Sequence, residues 1–284
     1  MIYNQWRAMR KRENAAVQAM LRGRELWYVA ASGRFINRKE SAARTWVLPD
    51  KENNPAALVI YSKQNLLPVF CGKKDLPPPR FLSGFFGALP VYSVQGLYDE
   101  VTFLEQCLEA LGLQAVEKID YDLMYLNAHN AVNNVPSSAT DVSGLILRKP
   151  TFIDIDSLAL LQAGYEKEEV LPKGAAFYPA VSRLNTEKLI KDGRVLAAEL
   201  AGRLVGKINV SVESYSRFLV GGVYVHTDFR GLGIARRMTA AFTDSLLAQG
   251  KGVSLFVKKE NKAAISVYRK LGFEFLSDYR ISYF

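Results

Sequence analysis

Two apolar runs, Ala57 to Tyr61 and Leu66 to Phe70, bracket Ser62-Lys63-Gln64-Asn65 and predict a hairpin. Before them, residues 4–22 carry a helical spacing with Arg7, Arg10, Lys11 and Arg12 on its polar side, a charge run that usually marks a solvated face. After them come a Pro77-Pro78-Pro79 loop, a short strand over Val91 to Val94, and an acidic helix from Tyr98 to Leu111. The later chain is more regular. It predicts a strand over Leu145 to Leu147 and a helix from Asp154/Asp156 to about Gly164. A second helix covers Ala180 to Lys191, and two strands, Val195 to Leu200 and Leu204 to Val210, flank the turn Ala201-Gly202-Arg203. Phe218 to Val225 is a further strand. Ile234, Met238, Ala241, Phe242 and Leu246 then recur at helical spacing, with Gly250 as the stop. A buried strand over Val253 to Val257, a helix from Lys262 to Lys270 and an extended ending from Phe273 to Phe284 complete the order β-α-α-β-β-β-α-β-α-β.

Between these regions, residues 127–142 are polar, rich in turn formers and without a sustained period, so they read as a linker between a segment 1–126 and a segment 143–284. The two segments end alike. Asp120-Tyr121-Asp122-Leu123-Met124-Tyr125-Leu126 and Asp278-Tyr279-Arg280-Ile281-Ser282-Tyr283-Phe284 both alternate as a half-buried strand would, each after a helical stretch closed by Leu-Gly. The echo favours related halves, although the spacing from glycine to aspartate differs by two residues.

Composition narrows the class. The chain has 284 residues, 49% hydrophobic and 23% charged, which is enough for two globular domains without staples. No apolar run approaches the ~20 residues of a membrane span, and Met1 to Arg7 lack the apolar core of a signal peptide, so a cytoplasmic protein is expected. Cys71 and Cys107 stand far apart, and with two histidines they suggest neither a disulfide framework nor a metal site. The net charge of +9 is uneven: residues 1–80 hold 15 basic and 6 acidic side chains, residues 81–142 hold 1 and 8, and residues 143–284 hold 21 and 14. Such surfaces attract nucleic acid, anionic membranes or polyphosphate ligands alike. No recognised nucleic-acid motif or aromatic platform accompanies the charge, so nucleic acid is not the expected partner.

The candidate chemistry lies in Val223-Tyr224-Val225-His226-Thr227-Asp228-Phe229-Arg230-Gly231-Leu232-Gly233-Ile234-Ala235-Arg236-Arg237, a strand that enters a glycine turn and opens a helix. The first amides of a helix lack internal partners and sit at the positive end of its dipole, which suits a pyrophosphate. Arg230, Arg236 and Arg237 add positive charge. The turn has neither the Gly-Lys-Ser/Thr ending of a P-loop nor the third glycine of a dinucleotide fingerprint. About thirty residues later comes Asn261-Lys262-Ala263-Ala264-Ile265-Ser266-Val267-Tyr268-Arg269-Lys270-Leu271-Gly272-Phe273.

These two stretches resemble the GCN5-related N-acetyltransferase (GNAT) superfamily. Arg230, Gly233 and Ala235 match its Arg-x-x-Gly-x-Gly/Ala motif, and Asn261, Ala264, Tyr268, Gly272 and Phe273 match its later pattern. Gly221-Gly222-Val223-Tyr224 looks especially like the FR47-like subgroup. The resemblance covers 143–284 and implies an α/β fold with a GNAT-type mixed sheet flanked by helices. It implies that Val223, Tyr224 and Val225 offer strand backbone to the pantetheine arm of acetyl-CoA, or another acyl-CoA. Amides of Gly231, Leu232, Gly233, Ile234, Ala235 and Arg236, beside Arg230, would take the pyrophosphate, and Asn261 would hold the cofactor near the parted strands. Tyr268 would give a proton to the departing thiolate, a feasible exchange between reference pKa values of about 10 and 8.5. Tyr268 also shares a helix face with Ala264, Ile265 and Leu271, which is a packing role in its own right.

The implied reaction is acyl transfer to a primary amine by direct attack on the thioester, with no metal. A carboxylate base common in the family is missing from Leu219-Val220-Gly221-Gly222-Val223. Glu199, Glu213 and His226 are the other candidates; the carboxylates read as solvated strand residues and the histidine as a surface or packing residue. The alternative function is a non-catalytic acyl-CoA-binding or protein-interaction module. Residues 1–126 carry no cofactor motif and are expected to be a degenerate GNAT-like half of a tandem arrangement, as in amino-acid N-acyltransferases with an FR47-like second half. Acceptor, acyl length and oligomeric state stay open.

Overall fold

The computed structural model describes residues 5–37, 44–72, 75–127 and 142–284. The linker expected over 127–142 lies, apart from its two end residues, outside them. The strands are β1 (Arg7–Ala8), β2 (Arg44–Pro49), β3 (Pro55–Ser62), β4 (Asn65–Val69), β5 (Ser93–Leu97), β6 (Glu117–Leu126), β7 (Leu145–Arg148), β8 (Val195–Leu200), β9 (Arg203–Glu213), β10 (Arg217–Val225), β11 (Gly252–Lys258) and β12 (Glu274–Tyr283). The helices are α1 (Asn14–Gly23), α2 (Val29–Ile36), α3 (Arg80–Ser83), α4 (Tyr98–Glu109), α5 (Ile155–Tyr165), α6 (Pro179–Lys191), α7 (Ile234–Leu247) and α8 (Lys262–Lys270). The order expected for the second segment is therefore the order observed, in a mixed α/β sheet with flanking helices.

All twelve strands join one sheet, in the order β1-β2-β3-β4-β5-β12-β6-β11-β10-β9-β8-β7. The order is symmetric about the contact between β12 and β6. Each set of six strands runs as three antiparallel partners and a parallel pair (β4/β5, β10/β11), and then sends its last strand across to the other set. Here the sequence reading needs correcting: the sheet of the second segment is not confined to residues 143–284, because β6 fills the place beside β11. The echoing strands pair antiparallel with each other, Tyr121 facing Tyr279 and Asp120 facing Arg280, whose guanidinium donates to that carboxylate at 2.7 Å.

Helices cover both faces. One apolar cluster joins α7 and α8 to β8–β11 around Ile234, Met238, Phe242 and Ile265. Another packs α4 against β2–β5 around Trp46, Leu104 and Leu108. A third lays α1 and α2 over β2–β4 and reaches Leu219 of β10, so the two segments share a core.

The helix expected over 4–22 begins only at Asn14. Ahead of it Arg7 and Ala8 pair with Val47 and Trp46, and buried Trp6 packs on Phe70. Glu13 causes the break: it takes the Arg7 guanidinium and accepts the Arg10 N–H at 2.7 Å. The Arg7 hydrogen bond leads in holding the Glu13 carboxyl down at about 2. Arg7 thus belongs to an edge strand and not to a helical basic face.

Candidate active site

β10 and β11 run in parallel register from Arg217↔Gly252 to Val220↔Leu255 and then part. The cause sits on the other edge of β10. Between Gly221↔Asn209 and Tyr224↔Lys207 the strand carries one residue too many, so Gly222 and Val223 share the place opposite Ile208. Gly222 has φ +62°, and a Cβ there would collide with the Asn209 carboxamide, so the bulge requires glycine.

A cavity of about 710 Å³ opens where the strands part. Val223, Tyr224 and Val225 form one wall, and Arg230, Gly231, Gly233, Ile234, Ala235 and Arg236 form its turn-and-helix end. Asn261 and Tyr268 of the α8 region border it as well. Leu232 alone of the expected residues does not; it lies exposed on the outside of the turn.

Local chemistry explains the turn. Gly231 (φ +81°) and Gly233 (φ +79°) both occupy the left-handed region, and Gly233 caps α7. The first helical bond runs from the Arg237 N–H to the Gly233 carbonyl, which leaves the amides of Ile234, Ala235 and Arg236 outside the ladder. Arg236 Nη2 is buried without a hydrogen-bond partner, an uncompensated donor that an anion would satisfy. Arg230 Nε donates to the Val225 carbonyl at 3.0 Å and ties the turn to the strand.

Sequence reasoning missed Glu168. A single π-helical turn over Glu166–Val170 follows α5 and swings Glu168 and Glu169 to the cavity wall. Glu168 accepts from Arg230 at 2.8 Å and from the Tyr224 hydroxyl at 2.9 Å. Burial raises its carboxyl, but the bonds from Arg230 and Tyr224 outweigh this and hold it below the usual carboxylate range. The acidic run Glu166-Lys167-Glu168-Glu169 directly after a helix was the available signal. By contrast, the carboxylates singled out in the sequence are spent elsewhere. Glu199 binds Arg148 at 2.7 Å, and Glu213 binds Arg194 at 2.9 Å and Lys251 at 2.7 Å. His226 is half-buried at the start of the turn, beside Asp228. None of the three borders the cavity.

Tyr268 is 7% exposed and packs on Phe273. Burial, with smaller contributions from Tyr165 and Glu169, raises its phenol above the ordinary value, so it keeps its proton at neutral pH. Asn261 uses its side-chain oxygen to cap α8, accepting the Ala264 N–H at 3.0 Å, which leaves its amide nitrogen for a ligand.

The matching cleft of the first segment is filled. β4 and β5 pair in parallel over two positions, Asn65↔Ser93 and Leu66↔Val94, before parting. There Phe70 N–H donates to Glu100 at 3.0 Å, Cys71 N–H donates to the Tyr28 hydroxyl at 2.9 Å, and Tyr28 donates to Glu100 at 2.6 Å. Burial pushes the Glu100 carboxyl up to about 7 against these bonds.

Residues 161–273 match the model of the acetyltransferase (GNAT) family. An acetyltransferase of Sodalis glossinidius is 37% identical over 83 residues, which are 28% of this chain and 56% of that protein. The chain thus spans about half the length of the curated relatives it matches. Two solved structures share the whole fold. A Drosophila protein has a TM-score of 0.67 at 10% identity over 99% of both chains. A tandem GNAT protein from the clavulanic acid biosynthesis pathway has a TM-score of 0.59 at 13% identity, over 98% of this chain and 97% of its own. The glycine turn and the parted strands both fall within residues 161–273, the stretch that is similar to the acetyltransferase (GNAT) family.

Proposed function

We propose that the protein is an N-acetyltransferase that moves an acetyl group from acetyl-CoA to the primary amine of an unidentified acceptor. The observation that carries this reading is the end of the cavity, where left-handed Gly231 and Gly233, three unspent helix amides and the unpartnered Arg236 donor converge. That arrangement fits a pyrophosphate. The backbone of Val223, Tyr224 and Val225 receives the pantetheine arm, and the Asn261 amide holds it at the parted strands. Leu232 contributes only its backbone, consistent with its exposed side chain.

The chain's own groups then divide the work. Strand amides beside the bulge polarise the thioester carbonyl and stabilise the charge that develops on its oxygen. The amine enters as the free base, since Glu168 is committed to Arg230 and Tyr224, and Glu169 pairs with Lys258 at 3.3 Å. As the C–N bond forms and the C–S bond breaks, Tyr268 donates its proton to the departing thiolate, and the proton shed by the acylated nitrogen restores the tyrosine through solvent. The glycine pair Gly221-Gly222 at the bulge supports an FR47-like subgroup, and the low count of cysteines supports a cytoplasmic setting.

The first segment is read as a degenerate half of the same kind. Its strands mirror the second set, and Glu100 and Tyr28 occupy the amides that a cofactor would need. The far wall of the cavity includes Ala30 of α2, Gln95 of β5 and Tyr121 of β6, so this half shapes the acceptor end. Titration of acetyl-CoA by calorimetry tests the reading: one site per chain is expected, followed by thiol release with a panel of small amines. Binding of two equivalents rejects the degenerate half. Tight binding without thiol release on any amine turns the domain into a sensor of acyl-CoA, and absence of binding rejects the whole reading.

A further inference from the structure

Lys207 lies on β9 between the bulge and α5 and is 0% exposed. Its Nζ donates to Asn209 Oδ1 at 2.9 Å and to the Gly222 carbonyl at 3.0 Å, and stands 4.7 Å from the centre of the Tyr165 ring. The Gly222 N–H in turn reaches the Tyr165 hydroxyl. Both polar groups of this glycine are therefore held by side chains and not by the sheet ladder. A buried ammonium is costly, and an apolar side chain of similar length would fill the same space without that cost. The position thus asks for a charge and not merely for volume.

The Gly222–Val223 peptide is planar and trans, so its N–H points opposite to the oxygen that Lys207 binds. A cation on the oxygen polarises the whole unit and strengthens the N–H at its other end. Gly222 and Val223 both border the cavity, whereas Lys207 does not. We propose that Lys207 is a positioning residue for acyl transfer, whose ammonium orients and polarises the Gly222–Val223 peptide so that the Val223 N–H donates strongly to the thioester carbonyl. The assignment rests on the acetyltransferase reading above and adds to it a group that never touches the substrate.

The titratable groups facing Lys207 are Glu166 of the π-helical turn, Tyr165 of α5 and Tyr224 opposite it on β10. Burial pulls Lys207 down to about 7, with Glu166 opposing it. The ammonium is then present at pH 6 and largely gone at pH 8.5, so carbonyl polarisation is full below about 7 and lost as pH rises through it. Glu100 titrates in the same range but is bonded to Tyr28 and Phe70 in the first segment.

The test needs no acceptor. Acetyl-CoA labelled with carbon-13 at the thioester carbonyl is bound to the full chain, and isotope-edited infrared spectra are taken at pH 6 and pH 8.5. The carbonyl band is expected at lower frequency at pH 6. In Lys207→Met and Lys207→Gln it should stay at the high-pH position throughout, while bare CoA binds within about threefold of wild type. A wild-type band that does not move, or a shift that persists in Lys207→Met, overturns the assignment. Should neither variant fold, nitrogen-15 lysine spectra of the wild type decide: the ammonium and the carbonyl band must share one midpoint, and separate midpoints overturn the proposal. Failure of acetyl-CoA to bind at all would sink both this assignment and the acetyltransferase reading.

Discussion

The cleft between β4 and β5 and the cleft between β10 and β11 come from the same strand order, yet among the described residues only the second presents unspent backbone donors. In the first, the amides of Phe70 and Cys71 are taken by Glu100 and Tyr28. Where the second has Gly231 and Gly233 ahead of the 14-residue α7, the first has Pro77, Pro78 and Pro79, which lack an N–H, ahead of the four-residue α3. The difference teaches that this architecture keeps a cleft open by leaving backbone groups without partners. Covering them with two side chains closes it.

The contrast can be broken most severely at Gly233. Glu in its place is expected to lower acetyl-CoA affinity on the order of 10³-fold by calorimetry, because the left-handed turn strains any side chain and the carboxylate repels the pyrophosphate. A smaller retained effect, under tenfold, would show that the turn does not bind phosphate.

Next is the pH dependence of the plug. Glu100 takes up its proton at about 7 in the folded chain, against 4.5 as its ordinary value. The native state therefore binds more protons than the unfolded state between these values, and stability falls as pH rises through that window, by about 3 kcal/mol. Urea titrations should show this slope in the wild type and a flatter one in Glu100→Gln; equal slopes reject the burial argument. Tyr268→Phe, on the open side, is expected to lower kcat roughly 10²-fold with little change in KM for acetyl-CoA. A change confined to KM would return Tyr268 to packing. The smallest effect belongs to Tyr28→Phe, expected to cost about 1–2 kcal/mol by stranding the Cys71 amide, with stoichiometry still one acetyl-CoA per chain. Appearance of a second site would mean that the plug alone hides a working cleft.

The open cleft was legible in the sequence because its determinants are local. Arg230, Gly231, Gly233 and Asn261 act within a few residues of where they stand, through backbone conformation and helix ends. Distant causes were not legible. Lys207 alternates with apolar neighbours on β9 and looks like a solvent-facing position until Tyr165 of α5 covers it. The alternation of β6 and β12 reports which side chains share a face, yet says nothing of which strand lies alongside. Glu13 hides in a run of good helix formers, and only its reach to Arg7 shows why the helix starts late.

The exchange of β6 and β12 has a consequence for how the molecule comes apart. Residues 143–284 alone would lack the strand that sits between β11 and β12, and β12 would lose both of its neighbours. Such a fragment bares strand edges along its middle, where sticky pairing with other chains begins. The two segments are thus interlocked like clasped fingers: the half that holds the glycine turn needs the other to be a finished sheet, and unfolding should proceed as one event for both.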